Sequence, residues 1–222
     1  MKTTAAIAAS IVALSITTFA EAQSSPSTIE KAKSSGVFTI GYREASIPFS
    51  YLGTNGQPTG FGFEICNRIA DEVKRLTGRS DLIVKTQAVT PQNRIALIQN
   101  GSVDVECGST TNNADRNKQV AFAINYFYTG TRLLVKADSP VRSLQDLKGR
   151  KVVSTTGTTN MLVIRKAARD QNLDVNLIAA KDHGESALLV ESGRADAFAM
   201  DDILLYGIKA IDPASMNLTQ AA

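Results

Sequence analysis

Two stretches of the sequence place small hydroxyl side chains directly after a strand-like apolar run. In the first, GSTTNNADR (108–116), the hydroxyls lead into a predicted helix whose cap is Asn112 or Asn113. Exposed N–H groups and hydroxyls at such a point suit an anion, and Arg116, one turn further, can form a fork on a carboxylate. The alternative is a capped helix with a solvated arginine.

The second stretch, TTGTTN (155–160), follows another predicted strand and again leads into a helix. It also points backbone donors and hydroxyls towards an anion. It lacks the Gly-Lys-Ser/Thr ending of a phosphate-binding P-loop. The alternative here is an ordinary strand-to-helix turn.

An acidic pair and a lone histidine complete the polar candidates. Asp201 and Asp202 follow a buried strand; Asp202 is placed to cap a helix, which leaves Asp201 as the candidate partner for a ligand ammonium. His183 follows Asp182 in a predicted strand-to-helix loop. A lone histidine in a loop is more often merely exposed than functional.

Alternating strand and helix patterns would position these residues. Apolar periodicity and Gly or Asn stops predict strands at 37–42, 82–88, 103–107, 151–155, 175–179 and 196–200, and helices at 64–76, 93–99, 159–171, 185–192 and 202–209. Strands separated by helices imply parallel sheets with helix-covered faces. We therefore predict two α/β lobes that join near residues 129–134.

An internal echo supports the two lobes. Residues 96–104 (ALIQNGSVD) resemble residues 188–196 (LLVESGRAD), each an apolar helix that ends at Gly before an Asp-containing strand. The same offset aligns Ser109 with Asp201, so both should follow the carboxyl end of an equivalent strand, where open α/β sheets bind ligands. The alternative is that any helix-Gly-strand unit looks like this.

Composition excludes several classes of function. The chain has 222 residues, 43% of them hydrophobic, with 24 Lys plus Arg against 21 Asp plus Glu and a net charge of +3. This small positive surplus does not indicate a nucleic-acid-binding protein. One histidine and two cysteines exclude a histidine pair and a four-thiolate zinc site, so we expect no metal and no cofactor. Cys66 and Cys107 are either a disulfide or two buried thiols.

The first residues have the pattern of a targeting segment rather than of a part of the folded domain. Lys2, a small-residue apolar stretch and Ala20-Glu21-Ala22 predict a signal peptide over 1–22 that is cleaved before Gln23. The alternative, a buried N-terminal helix, is disfavoured because Gln23 to Ser27 is a Ser/Pro linker rather than a helix cap. Residues 23–35 are expected to be a linker. The mature chain is therefore expected to be exported and soluble in the periplasm.

Several strings together resemble one family. GYREASIPFSY (41–51), PQNRIALIQNGSVDVECGSTTNNADR (91–116), TTGTTN (155–160), AKDHG (180–184) and ESGRADAFAMDD (191–202) are similar to the glutamate/aspartate periplasmic binding proteins, solute-binding proteins of the polar amino acid class that serve ABC transporters. The resemblance implies the type II two-lobe architecture, lobe 1 at 36–130 and lobe 2 at 131–222, closing as a monomer on one acidic amino acid that permease subunits in the inner membrane then receive.

Carried over by position, the resemblance implies a ligand set of Arg43, Arg94, Ser109, Thr111, Arg116, Thr159, His183 and Asp201. Arg116, Thr111 and the Thr159 region would hold the α-carboxylate. Asp201 and Ser109 would hold the ammonium. Arg43, Arg94 and His183 would face the side-chain carboxylate, and His183 could gain a proton there. The family often has Ser where this chain has Pro91.

The resemblance also implies a second crossing between lobes and a C-terminal segment that returns to lobe 1. The sequence stops at Ala222, before such a return. We therefore expect a C-terminally truncated chain that is less stable, and closes less well, than a complete relative.

Two other kinds of protein could use the same architecture. An enzyme, a dehydratase or hydrolase of a small carboxylated substrate, could assemble Ser109, Cys107, His183 and Asp201 as a nucleophile set, although no Gly-x-Ser-x-Gly elbow is present. A sensory module could use the same lobes to feed a signalling protein. Arginines opposed by one aspartate suit holding a zwitterion better than attacking one.

Overall fold

The computed structural model consists mainly of two sheets flanked by helices. It describes residues 27–210 and the backbone of residues 211 and 218–221. The expected signal peptide, its cleavage site and the C-terminal loop at 212–215 lie outside the described residues. In chain order the elements are α1 (Thr28–Ser35), β1 (Val37–Tyr42), β2 (Ala45–Ser46), β3 (Ser50–Leu52), β4 (Pro58–Thr59), α2 (Phe61–Thr77), β5 (Ile83–Ala88), α3 (Arg94–Gln99), β6 (Val105–Glu106), α4 (Ala114–Asn117), β7 (Thr131–Lys136), a 3-10 turn (Gln145–Leu147), β8 (Lys151–Thr155), α5 (Thr159–Asp170), β9 (Asn176–Ala180), α6 (His183–Glu191), β10 (Ala197–Asp201), α7 (Asp202–Ile211) and β11 (Leu218–Ala221).

The sheets separate at the point where the chain leaves β6 and enters β7. The first sheet has the order β5-β1-β6 with every pair parallel. The second has the order β11-β7-β10-β8-β9, in which β10, β8 and β9 are parallel and β7 is antiparallel to both β10 and β11. The predicted architecture of mostly parallel sheets between helices is confirmed, with β7 and β11 as antiparallel additions.

Each sheet is built on a separate apolar core. Phe38 and Ile40 of β1 pack with the buried face of α2 in the first lobe. In the second lobe, helices α6 and α7 cover one face of the sheet and α5 covers the other. A continuous apolar strand such as β10, buried at all five positions, is what a parallel sheet covered on both faces requires.

A small antiparallel sheet, β2-β3-β4, was not predicted from the sequence. It follows β1 and projects from the first lobe towards the second. Phe49 in its turn packs into the core of the second lobe, and the Cβ that Gly207 lacks would lie 2.8 Å from the Ile47 carbonyl carbon. This hairpin is therefore part of the contact between the lobes.

The predicted strand at 103–107 is shorter in the structure. An aspartate contact shortens it, and the same contact occurs in the other half of the internal echo, residues 188–196. Asp104 Oδ2 accepts from the Thr39 amide at 2.8 Å, so a carboxylate takes the place of a ladder carbonyl, and β6 begins at Val105, two residues after the predicted start. Asp196 Oδ2 accepts the Lys151 amide at 2.8 Å in the same way. Gly101 and Gly193 both have φ of +74°, the left-handed value that favours glycine. The two halves of the echo are structurally equivalent.

The expected linker at 23–35 is wrong for its second part. Residues 28–35 form α1, and Ser27 is its N-cap: the Ser27 hydroxyl accepts from the Glu30 amide while Glu30 accepts from the Ser27 amide. A Ser followed three residues later by Glu is the sequence pattern of such a reciprocal capping box, and it predicts a helix start here despite the preceding Ser/Pro stretch. None of the described helices is long and apolar enough to cross a membrane.

Candidate ligand-binding site

Polar side chains meet where strands of the two sheets end. Arg43 directly follows β1, Thr155 ends β8 and Asp201 ends β10. These carboxyl ends face one another across the cleft between the lobes, as expected for an α/β ligand site. A cavity of about 490 Å³ extends from this point along the first lobe, and its lining includes Arg94, Glu106, Ser109, Thr111 and Asp201.

Arg43 and His183 join the lobes at the bottom of the cleft. Arg43 Nη2 lies 3.3 Å from His183 Nε2, and His183 Nδ1 lies 2.9 Å from Thr155 Oγ1. Both side chains are buried, with exposed fractions of 1% and 0%. Burial, followed by the charges of Arg43 and Arg94, holds the pKa of His183 well below its ordinary value. The alternative of an exposed loop histidine is wrong, and the expected proton on His183 is disfavoured in this geometry.

Arg94 supplies a second buried guanidinium from the start of α3. Three buried nitrogens, Arg43 Nη1 together with Arg94 Nε and Nη1, have no hydrogen-bond partner among the described residues. Burial lowers the pKa of Arg43 to about 10 and that of Arg94 to about 9, so both remain charged at neutral pH. An unpaired buried charge is costly, and an anion beside these nitrogens would remove that cost.

Asp201 lies opposite, on the second lobe. Its Oδ1 accepts from Asn160 Nδ2 at 2.8 Å, and the same Asn160 amide group donates to Thr131 at 2.9 Å. Burial raises the pKa of Asp201. Asp202 does not precede α7 as its cap but is its first residue, and its Oδ1 accepts from the Thr129 hydroxyl at 2.6 Å.

Arg116 bridges the lobes at the mouth of the cleft. Its Nη1 donates to the Thr111 carbonyl at 2.8 Å, and its Nη2 donates to the Gly157 carbonyl at 3.0 Å. The Thr111 and Thr159 hydroxyls lie 3.2 Å apart across the same gap. Asn113 is the cap of α4, which has only four residues, so the charged donor at this point is the Arg116 guanidinium rather than a helix terminus.

Comparison with known proteins decides the family. Residues 38–211 match the model of the bacterial extracellular solute-binding proteins, family 3. The chain belongs to this family. The family predicted from the sequence is therefore confirmed.

Relatives of known ligand are similar over most of this chain. The L-glutamate/L-aspartate-binding protein of Pseudomonas aeruginosa is 49% identical over 181 residues, which are 81% of this chain and 60% of that protein. The glutamate/aspartate import solute-binding protein of Escherichia coli is 45% identical over 184 residues, 83% of this chain and 61% of that protein. The chain thus spans about 60% of the length of these curated relatives.

Solved structures show the same fold. The arginine-bound form of a truncated ArgBP from T. maritima has a TM-score of 0.75 and 25% identity, over 86% of this chain and 84% of that one. The two-lobe type II architecture is therefore shared with this binding protein.

The relatives of this family 3 chain are named as binding proteins, and the site geometry agrees with that rather than with an enzyme. Cys107 is joined to Cys66 in a disulfide, with the two Cα atoms 5.8 Å apart. The Ser109 hydroxyl donates to Ser46 at 3.2 Å, while His183 contacts Arg43 and Thr155. The nucleophile set drawn from the sequence is thus not assembled. Among the described residues, no group of three His, Cys, Asp or Glu side chains is arranged to hold a metal ion.

Sequence reasoning missed the side chains that support the site. Thr155 and Asn160, the first and last residues of the TTGTTN motif, hold His183 and Asp201, and the sequence pattern alone does not indicate these contacts. Glu106 ends β6 inside the cleft, and a charged residue within a predicted buried strand was the signal that could have identified it. A second depression, of about 610 Å³, lies on the outer side of the second lobe along α5 and includes none of these residues.

Proposed function

We propose that this chain binds L-glutamate or L-aspartate between its two lobes. Its main support is the set of buried guanidinium nitrogens of Arg43 and Arg94 that have no hydrogen-bond partner among the described residues. A carboxylate that enters the cleft satisfies them with charge-assisted hydrogen bonds, which are stronger than neutral ones. The names of the curated relatives support the same ligand class.

The ligand has three charged groups, and the cleft offers a place for each. Arg116, Thr111 and Thr159 receive the α-carboxylate at the mouth, where they already bridge the lobes. Asp201 and Ser109 receive the ammonium. Arg43 and Arg94 receive the side-chain carboxylate. His183, which the resemblance placed beside that carboxylate, acts instead as a neutral partner that fixes Arg43, because its two ring nitrogens contact Arg43 and Thr155.

Charge explains why the ligand is acidic although one fold neighbour binds arginine. A cationic side chain would meet the charges of Arg43 and Arg94 at the closed end of the cleft. A neutral amide would leave part of that positive charge unpaired, at a cost of several kcal/mol. Only an anionic side chain removes the cost of burying both guanidiniums.

Closure connects binding to transport. The lobes correspond to residues 36–130 and 131–222, and the ligand strengthens the contacts between them, so the closed form is selected by the ligand. As a monomer exported to the periplasm after cleavage behind Ala22, the protein delivers the amino acid to permease subunits of an ABC transporter in the inner membrane.

A thermal melt of residues 23–222 tests this proposal. Ligand that binds only the folded state raises the melting temperature by mass action. We expect a rise with L-glutamate or L-aspartate and none with L-glutamine or L-arginine. A cooperative melt that moves with arginine, or with none of the four, would refute the acidic specificity.

A further inference from the structure

Glu106 has a carboxylate whose position the proposed ligand set does not explain. It ends β6 and lines the cleft beside Arg94 and Ser109. Thr110 donates to its Oε2 at 2.6 Å and so fixes the orientation of the group. Its Oε1 is buried and has no hydrogen-bond partner among the described residues.

The backbone next to Glu106 leaves room for this carboxylate. A Cβ on Gly108 would overlap Glu106 Oε1 and would lie 2.8 Å from the Cγ atom of Arg43. Glycine at 108 therefore lets the carboxylate of Glu106 and the stem of Arg43 pack against the same atom. The side chain is held inside the cleft rather than turned out to solvent.

The charge of Glu106 acts on every arginine of the site. Among the described residues it forms no ion pair within 4.0 Å, yet it is the largest favourable charge acting on Arg43, Arg94 and Arg116, all of whose pKa values are lowered first by burial. It also raises the pKa of Tyr126, after burial. Asp182, the cap of α6, also acts favourably on Arg43, after Glu106, but on no other arginine of the site. Asp202 holds Thr129 and raises the pKa of Asp201, after burial.

We propose that Glu106 is a specificity-determining counter-charge, which sets the net charge that the cleft requires of its ligand. This inference rests on the proposed function. Glu106 and Asp201 are the two carboxylates that act on more than one of the three guanidiniums, while His183 is neutral, so within this set one positive charge remains uncompensated. An amino acid with two carboxylates and one ammonium carries one net negative charge and completes the balance.

Replacing Glu106 changes the charge without changing the shape. In Glu106→Gln the cleft has two uncompensated positive charges and should favour a ligand with two net negative charges. The probe is glutarate, which has the two carboxylates of glutamate and no ammonium. Removal of one unit charge from the cleft, at the effective dielectric constant of a protein site, predicts a shift of the glutarate-to-glutamate affinity ratio of about tenfold or more.

Isothermal titration of four proteins tests the inference: wild type, Glu106→Gln, Glu106→Asp and Glu44→Gln. Glu44 is an exposed residue next to Arg43 and is the matched control. We expect the ratio to rise in Glu106→Gln, to remain near wild type in Glu106→Asp, which keeps the charge, and to be unchanged in Glu44→Gln. An equal loss of affinity for glutarate, L-glutamate and L-glutamine in Glu106→Gln would overturn the inference and leave the proposed function intact.

If wild type binds no acidic amino acid, the proposed function is refuted, but the counter-charge role of Glu106 can still be tested. The test is a melting experiment without ligand. Without its counter-charge, the arginine cluster should lower the melting temperature of Glu106→Gln by about 3 °C or more relative to Glu44→Gln. Sodium sulfate should restore more of that difference than sodium chloride at equal ionic strength, beyond its effect on Glu44→Gln. Equal melting of Glu106→Gln and Glu44→Gln would overturn the counter-charge role.

Discussion

Arg43 Nη2 meets His183 Nε2 at 3.3 Å across the cleft, and this contact defines the protonation state of the histidine. A guanidinium can only donate, so Nε2 accepts and the ring proton is on Nδ1. Nδ1 then donates to Thr155 Oγ1, which donates to Ser186 Oγ at 2.9 Å, and Ser186 donates to the Asp182 carbonyl at 2.9 Å. A directional chain of hydrogen bonds inside one lobe thus positions an arginine of the other.

Breaking this chain at Thr155 should weaken binding. Thr155→Val keeps the shape of the side chain but leaves the Nδ1 proton buried without an acceptor, a cost of about 1–3 kcal/mol. We expect glutamate affinity to fall by about tenfold. The chain has a single histidine, so nitrogen NMR reads its tautomer directly.

Thr156→Val is the matched control for this prediction, since the neighbouring Thr156 side chain lies outside the hydrogen-bond chain. It should preserve both the tautomer and the affinity. If Thr155→Val gave the wild-type nitrogen spectrum and the wild-type affinity, the hydrogen-bond chain would have no part in positioning Arg43.

The same histidine predicts a pH dependence of stability. Its pKa is lower in the folded chain than in the unfolded one, mainly through burial. Between those two values the unfolded state binds a proton that the folded state does not. The stabilisation is therefore complete above about pH 6.5 and declines as the pH falls below it. Asp201, whose pKa burial raises, acts in the opposite sense, since its ionisation costs stability as the pH rises above its unfolded value.

Urea unfolding of the unliganded protein between pH 7 and pH 5.5 measures this slope. His183→Gln removes the titrating group and should flatten the decline over that range, whatever its effect on absolute stability. An identical slope in wild type and His183→Gln would mean that His183 does not titrate differently in the folded and unfolded chains.

Some of these relationships could be predicted from the sequence and others could not. The echo predicted the order of helix, glycine and strand in both lobes, because helix stops are local properties of the chain. Its alignment of Ser109 with Asp201 as residues that follow equivalent strands is only approximate, since Asp201 is the last residue of β10 and Ser109 lies three residues beyond β6. The hydrogen-bond partners of His183 are Arg43, which follows β1, and Thr155, which ends β8. Both are distant from it in sequence, so no local pattern could show whether the histidine was exposed or buried. The motifs thus identified which residues lie at the site, but the role of each residue depends on contacts made by tertiary packing.

Glycine at 207 tests whether the lobes must touch for binding. Gly207 lies in α7, and a Cβ there would overlap the Ile47 carbonyl oxygen of the other lobe. Gly207→Ala adds about 1 kcal/mol of helix propensity while it opposes closure. We expect the unliganded melting temperature to hold or rise, and the apparent glutamate affinity to fall by about tenfold, because the competent closed state is less populated.

Gly184→Ala is the control for this clash, because a Cβ at 184 meets Ala45 of the first lobe at an ordinary 3.7 Å. It should bind glutamate as wild type does. Unchanged affinity in Gly207→Ala would show that binding does not require the contact at Ile47.

The disulfide should support the site through β6. Cys66 and Cys107 are 41 residues apart and join α2 to the segment that follows Glu106. Closing a loop of that length predicts about 4 kcal/mol of stability. Urea unfolding with and without reductant measures the loss, and the chain has no other cysteine for the reductant to act on. The double variant Cys66→Ala, Cys107→Ala should be insensitive to reductant; an unchanged midpoint for reduced wild type would contradict the prediction.

Arg94 should be unfavourable for stability and necessary for binding. Its guanidinium is 3% exposed and carries two nitrogens without partners among the described residues. Arg94→Met replaces that charge with an apolar side chain of similar length, a change that is neutral or stabilising by about 1–4 kcal/mol at buried ion sites. We expect the unliganded melting temperature to rise by about 2–4 °C for each kcal/mol gained, and the shift produced by glutamate to disappear. Arg68→Met, at an exposed position of α2, should leave both melting temperatures unchanged. A lower unliganded melting temperature in Arg94→Met would mean that the arginine stabilises the empty protein, and a retained glutamate shift would remove it from the site.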